Sequence, residues 1–460
     1  MKTLKLNGFQ AVTASGTIQA LRSLTAMTLT AFAVSACSSK PDTTAYWSMH
    51  TIDNTFEGAD GVDANDIDGD GNVDLVVGWE ESGQAALYEN PGAPNVLENW
   101  HRTNISVGLD VRKIEDAQFA DFNSDGKIDA VVSATENRNE KVNIHWLVDR
   151  NDIFNNDSWK SVSIVPSIQL PFIKVAIGQI DGSGANDIVA GSKNDSKPGK
   201  LLWYQAPQNP DYTNSDQWKG WPIADINWIT TILIMDIDQD GDNDVLMSDW
   251  ATLSWFENPG EEAIVKNSQS TWAKHVISKE ANSNFTNCAV DKKDPSKIHL
   301  IVSNVTAKEH VEVGGPILYS VKKDFDQAGN WSGKWIKNTL SALEAMPSDV
   351  GKHDYDIKGI ACGNIDGNEE TDLVISASGY GHGIFALMNL QDISGDQALH
   401  LKVISDNNHN TRKGIKHDNL LLNDLDGDGD LDVITTEENG NTGSYFIARG
   451  LGLIWYENPL

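Results

Sequence analysis

The sequence predicts an all-β fold in which seven four-stranded units close into a ring. Three observations carry that expectation. An aspartate-rich nonapeptide recurs seven times at near-even spacing. Each interval between copies reads as four short strands, without the 3.6-residue apolar period of a helix. The last unit lacks a fourth strand, which the start of the chain can supply.

The nonapeptide is Asp-Ile-Asp-Gly-Asp-Gly-Asn-Val-Asp at residues 66–74 and returns at 121–129, 179–187, 236–244, 291–299, 364–372 and 424–432. The start-to-start spacings are 55, 58, 57, 55, 73 and 60 residues. A fixed period of this size marks one structural unit repeated along the chain. The copy at 291–299 has lost most of its aspartates.

Each unit then resolves into strands. An apolar run precedes the nonapeptide, as at residues 419–423, and another follows it, as at 75–78 and 433–435. A third ends in aromatics and commonly in Glu-Asn-Pro, as at 86–91, 253–259 and 454–459. The fourth opens on a tryptophan (Trp100, Trp159, Trp218, Trp272, Trp335), with Leu399 and His400 in the sixth unit. Residues 46–52 resemble 272–277, so Trp47 is expected to open the strand that completes the seventh unit. Closing the ring this way removes an open sheet edge, a site of aggregation. Units of this length fit a seven-bladed β-propeller better than a solenoid or a row of sandwiches. Fifteen tryptophans against nine tyrosines then have a use, packing between neighbouring blades.

The 460 residues are 40% hydrophobic and 22% charged, a globular composition. Acidic residues number 66 and basic ones 35, for a formal net charge of −31. Phosphate backbones are bound by clustered Lys and Arg, so nucleic acid is not an expected partner. The acidic excess instead calls for solvation or bound cations.

The first 36 residues form an export signal by pattern. Lys2, Lys5 and Arg22 precede an apolar run at 24–36 that is too short to span a bilayer. It ends Val34-Ser35-Ala36-Cys37, which resembles the lipobox of bacterial lipoproteins. The resemblance implies cleavage before Cys37, lipidation of that cysteine, and a flexible tether over 37–45 leading into the propeller at 46–460. Ser38 and Ser39, without an aspartate that retains such proteins at the inner membrane, favour the outer membrane. Membrane attachment through the lipid alone and a monomeric state are expected. Cys288 and Cys362 read as two small buried thiols, with a bridge as the alternative that export permits.

The nonapeptide carries metal chemistry. Aspartates at positions 1, 3, 5 and 9 set hard oxygen ligands around one point, and glycine at position 6 permits the sharp turn. A backbone carbonyl near position 7 can complete the shell. Oxygen-only donors in a flexible loop suit Ca²⁺, and the lack of Cys or His argues against zinc. The expected ligands are Asp66, Asp68, Asp70 and Asp74; Asp121, Asn123, Asp125 and Asp129; Asp236, Asp238, Asp240 and Asp244; and Asp424, Asp426, Asp428 and Asp432. Asn364, Asp366, Asn368 and Asp372 make a weaker set in the sixth unit. Gln179 and Ser183 impair the third. About four to six Ca²⁺ are expected per chain. The alternative is that some copies are only good turns.

These units resemble the FG-GAP/VCBS propeller repeats, including the calcium-binding blades of integrin α-subunits, from residue 46 to the end. The resemblance implies structural ions on one face, where the hairpin joins the two innermost strands, and a ligand site on the opposite rim. Candidate rim residues are Arg112, Lys174, Trp228, Lys358 and His382 for ligand binding, with Trp79, Glu80, Lys113, Lys193, Asn227, Trp250, Tyr355 and Lys416 nearby in the pattern. Such basic and aromatic groups suit a glycan, including an anionic one, and a cell-surface protein is the other candidate partner. A second reading is catalytic. Residues 351–367 resemble a blade of fungal sugar-dehydratase propellers, and elimination needs a base and a cation for the developing enolate. His353, Tyr380, His417 and Arg412 are the candidates for those roles. The fold alone does not choose between binding and lyase or dehydratase activity.

Overall fold

The computed structural model describes residues 46–109, 113–135, 141–164, 170–193, 198–260, 263, 272–279, 282–288, 297–304, 317–322, 324–327, 331–342, 356–378, 383–390, 396–405, 417–437 and 450–460. The expected signal peptide, Cys37 and the tether lie outside them, as do Arg112, His353, Tyr355, Tyr380, His382, Arg412 and Lys416. Tyr46–Leu460 form one compact unit.

Seven antiparallel blades of four strands make up that unit. In blade one the strands are Ala59–Asn65, Asp74–Trp79, Gln84–Glu89 and His101–Asn104. The first strands of the other blades are Ile114–Ala120, Phe172–Gly178, Thr231–Met235, Asn282–Asn287, Asp356–Gly363 and His417–Asn423. Each first strand packs against the first strands of both neighbouring blades, and the cycle closes between Ala59–Asn65 and His417–Asn423. Second strands such as Asp74–Trp79 and Ala130–Thr135 are buried along their whole length. Near-continuous Val, Leu and Ala there match a strand covered on both faces.

The ring closes as the sequence anticipated. Ser48–Asp53 pairs with Gly452–Glu457 as the outer strand of blade seven, with Met49 opposite Tyr456 and His50 opposite Trp455. Trp47 is buried among Ile365, Val374, Leu420 and Ile454, across the seam of blades six and seven. Trp100, Trp159, Trp218 and Trp272 fill equivalent seams. Burying such a side chain removes 150–250 Å² from water, so each seam holds a large apolar contribution.

The cysteines correct the sequence reading. Cys288 and Cys362 are bonded, with Cα atoms 5.7 Å apart, a spacing a disulfide spans. Cys288 directly follows the first strand of blade five and Cys362 lies within that of blade six, and the ring makes these blades neighbours. The outer strands of the same two blades, Ile336–Ala342 and Gln397–Val403, also pair, in parallel. These blades are therefore joined both at the axis and at the rim.

Candidate functional site

A cavity of about 690 Å³ opens where the first strands converge, and all seven blades contribute to its wall. Its lining comes from the beginnings of these strands, such as Asp60 and Asp63 in blade one, whereas the acidic hairpins leave their far ends. Four lysines reach the lining. Lys113 donates to Glu80, and Lys358 lies 2.8 Å from Asp418. Lys174 stands 4.0 Å from Asp116. Burial alone would lower the Lys174 pKa, but Asp116, then Asp60, Asp418 and Glu115, raise it above the ordinary value. Burial pushes the neighbouring Asp63 up to about 6, with repulsion from Asp116 adding to it and the Phe119 and Ala64 N–H groups opposing it.

One wall is aromatic. Trp228 and Trp250, on separate loops of blade four, stack with ring centroids 5.0 Å apart and planes 7° from parallel. The Lys193 ammonium lies 4.8 Å from the Trp228 ring centre. Asp249, fully buried, serves both loops. Its Oδ1 accepts from the Ala251 and Thr252 N–H groups at 3.2 and 2.8 Å. Its Oδ2 accepts from the Asn227 N–H at 3.0 Å.

Of the rim residues named from sequence, Lys174, Trp228 and Lys358 line this cavity, together with Glu80, Lys113, Lys193 and Trp250. Trp79 is instead buried in the core of blade one. His417 has no exposed surface and meets the Tyr456 hydroxyl at 3.2 Å inside blade seven. Among the described residues the lining contains neither histidine nor tyrosine. Sequence reasoning did not single out Asp249, because aspartates able to form an Asx turn are common along this chain and only the fold shows this one joining two loops.

The hairpins divide into two classes. In blades one, four and seven, three carboxylates each offer an oxygen within 4.8 Å of the others: Asp66, Asp68 and Asp70; Asp236, Asp238 and Asp244; Asp424, Asp426 and Asp432. The turn is held by the first aspartate, since Asp66 accepts from the Gly69 and Gly71 N–H groups at 2.7 and 3.0 Å. Gly71, Gly241 and Gly429 at position 6 are all left-handed, a conformation glycine adopts at no steric cost. Position 7 adds a ligand candidate that sequence reasoning had given to a backbone carbonyl. The Oδ1 atoms of Asp242 and Asp430 are buried and accept no hydrogen bond. Burial, then repulsion from Asp240, Asp238 and Asp236, pushes Asp242 up to about 7. Burial and the neighbouring aspartates likewise lift Asp430 to about 6. Carboxylates crowded to this degree fit a divalent cation with oxygen ligands.

In other hairpins the protein's own groups engage some of these carboxylates. In blade two the Arg150 guanidinium donates to Asp129 at 2.9 Å, while Asp121 and Asp125 keep the turn closed. In blade three Gln205 donates to Asp181, so an amide stands where blades one, four and seven carry Glu89, Glu257 and Glu457. In blade six Asn368 bonds Asp366 and Asn389, and Glu369 holds the left-handed position 6 with φ 72°. Asp366 and Asp372 act on the charge of Lys402 there. In blade five, residues 291–296 lie outside the described ones, and His299 at position 9 faces the Ser320 hydroxyl at 2.9 Å.

Comparison with known families agrees with the repeat. Residues 66–132 match the model of the FG-GAP-like repeat. Among solved structures, BBS1N in complex with ARL6DN aligns at TM-score 0.48 and 10% identity, over 90% of this chain and 97% of that one. An Agrocybe aegerita lectin, solved for its recognition of non-reducing terminal N-acetylglucosamine, aligns at TM-score 0.42 and 13% identity, over 89% and 91%. No curated protein matches the sequence.

Proposed function

For this chain, a seven-bladed propeller of FG-GAP-like repeats, we propose a binding role in which the central cavity takes a carbohydrate. The observation that carries the reading is the convergence of all seven blades on one concave site of about 690 Å³. That volume lies within the usual range of small-ligand sites. Carboxylates, ammonium groups and amides beside an aromatic wall complement the hydroxyls and apolar faces of a sugar. Six carboxylates face four lysines in the described lining, which favours a neutral sugar over the anionic one that sequence reasoning entertained. Elimination chemistry draws no support from His417, which is sealed inside blade seven.

Calcium in the hairpins of blades one, four and seven stiffens the ring in this proposal, with Asp66, Asp68 and Asp70 and their counterparts as ligands. Such an ion neutralises the crowded carboxylates; the ring itself orients the lining. Attachment to the outer membrane through acylated Cys37 rests on the lipobox pattern alone.

The test uses the Cys37→Ser protein, purified with calcium, on an array of neutral and uronate-containing oligosaccharides, with calorimetric titration of those retained. Binding that Lys174→Met weakens at least tenfold supports the cavity. Binding to no sugar, or binding indifferent to Lys174→Met, overturns the proposal.

A further inference from the structure

Trp250 is half-exposed, at 50% of its surface, yet its backbone is held at φ 61°, in the left-handed region. A bulky side chain adopts that region only when its surroundings impose it, and such strain collects at binding sites. Burial does not explain the conformation, because the indole is turned outward. Asp249 does: one carboxylate oxygen closes the turn after Trp250 and the other holds Asn227, next to Trp228. A single buried side chain thus assembles two loops so that their indoles lie 5.0 Å apart and parallel.

We propose that the outer face of Trp250 is a stacking subsite for a pyranose ring, with Asp249 as its positioning residue. The subsite rests on the carbohydrate reading of the cavity and specifies where the sugar lies. The face of an indole carries negative quadrupolar charge, and the axial C–H groups of a pyranose present the complementary positive edge. The ligand is therefore a sugar with an uninterrupted C–H face, as in β-linked glucose, galactose or xylose. Trp228 beneath keeps the platform from folding away, and Asp249 fixes it before the sugar arrives, which reduces the ordering cost of binding.

The test is calorimetric titration of the calcium-loaded Cys37→Ser protein with hexamers of β-1,4-linked glucose, galactose, mannose and xylose. Trp250→Ala should weaken the best binder at least tenfold, and Trp250→Phe should retain most of the affinity. Trp250→Gly relieves the left-handed strain, so it should lose binding while melting no lower than the parent protein. Asp249→Asn keeps one acceptor oxygen and loses the other; it should reduce affinity and weaken the exciton couplet of the stacked indoles in circular dichroism. Unchanged affinity in Trp250→Ala overturns the subsite while leaving the cavity reading in place. Unchanged affinity and couplet in Asp249→Asn overturn the positioning role. Binding of none of the hexamers by the parent protein, with sugars retained on the array, overturns the β-linked class and the subsite with it. An empty array removes the carbohydrate reading itself.

Discussion

The side-chain amide of Asn90 donates to the carbonyl of Leu425 at 2.9 Å, binding blade one to the acidic hairpin of blade seven. It also reaches the Val73 carbonyl at 3.1 Å. Asn258 does the same to Ile180, and Asn458 to Ile365. Each acceptor is the second residue of the nonapeptide in the preceding blade, so the Asn of Glu-Asn-Pro is a latch between blades. Asn90→Ala leaves two carbonyls without this donor and should lower the free energy of unfolding by about 1–3 kcal/mol. Chemical denaturation measures it, and a loss below about 0.5 kcal/mol would remove the latch from the account.

The calcium count separates the hairpin classes. Native mass spectrometry should find three Ca²⁺ per chain, and chelation should lower the melting temperature, because ions bound only by the folded state stabilise it. Asp68→Ala, Asp238→Ala and Asp426→Ala should each remove one ion. Asn123→Ala and Asp366→Ala should remove none, since Arg150 engages the first hairpin and the Asn368 amide the second. A fourth ion lost on Asp366→Ala would show that the Asn368 amide does not stand in for a metal.

Reduction should weaken the ring between blades five and six. The disulfide closes a sequence separation of 74 residues, and the chain-entropy relation assigns about 4 kcal/mol to a loop of that length. Cys288→Ser with Cys362→Ser should melt well below the parent protein and no longer respond to a reductant. Equal melting with and without reductant in the parent protein would show that the bridge contributes nothing.

Asp53 gives the fold an acid-sensitive seam. At the end of the N-terminal strand it accepts from the Tyr88 hydroxyl at 2.8 Å and from Arg102 at 2.6 Å, both in blade one. Burial alone would raise its pKa, but Thr55, Arg102 and Tyr88 hold it below the usual 3.8. A carboxyl lowered on folding stabilises above its unfolded pKa, and that contribution fades as pH falls through the lowered value. Asp53→Asn should therefore cost about 1.5–3 kcal/mol at pH 7, and the gap from the parent protein should close below about pH 4. A gap that is constant with pH would mean the charge of Asp53 is immaterial.

The ring and its hairpins were legible because they depend on residues fixed in sequence register. Asp74 brackets its hairpin by accepting from the Ile67 and Asn90 N–H groups, and Asp432 repeats that geometry, so the nonapeptide cannot drift. The disulfide was not legible, since only the neighbouring position of blades five and six brings Cys288 to Cys362. Arg150 lies outside the nonapeptide whose Asp129 it serves. The side on which His417 falls is set by a register shift between His417 and Leu420, which breaks the two-residue alternation on which strand reasoning rests. Asp249 matters through the backbone angle of Trp250, which no residue pattern displays.

Removing residues 46–52 should destabilise the whole ring. The cut takes most of the outer strand of blade seven and exposes the row of backbone groups on Gly452–Glu457 to which it pairs. It also removes Trp47, whose N–H donates to the Ile404 carbonyl at 2.9 Å and whose indole fills the seam with blade six. Truncating a buried tryptophan to alanine typically costs about 3–5 kcal/mol, and the lost strand adds to that. Asp53 would then have no strand behind it to hold its contacts with Tyr88 and Arg102. Thermal melting of the deletion should fall well beyond that of a chain cut only at 38–44, and the deleted protein should aggregate through its open edge. If the two truncations melt alike, the N-terminal strand contributes pairing to the ring but not its stability.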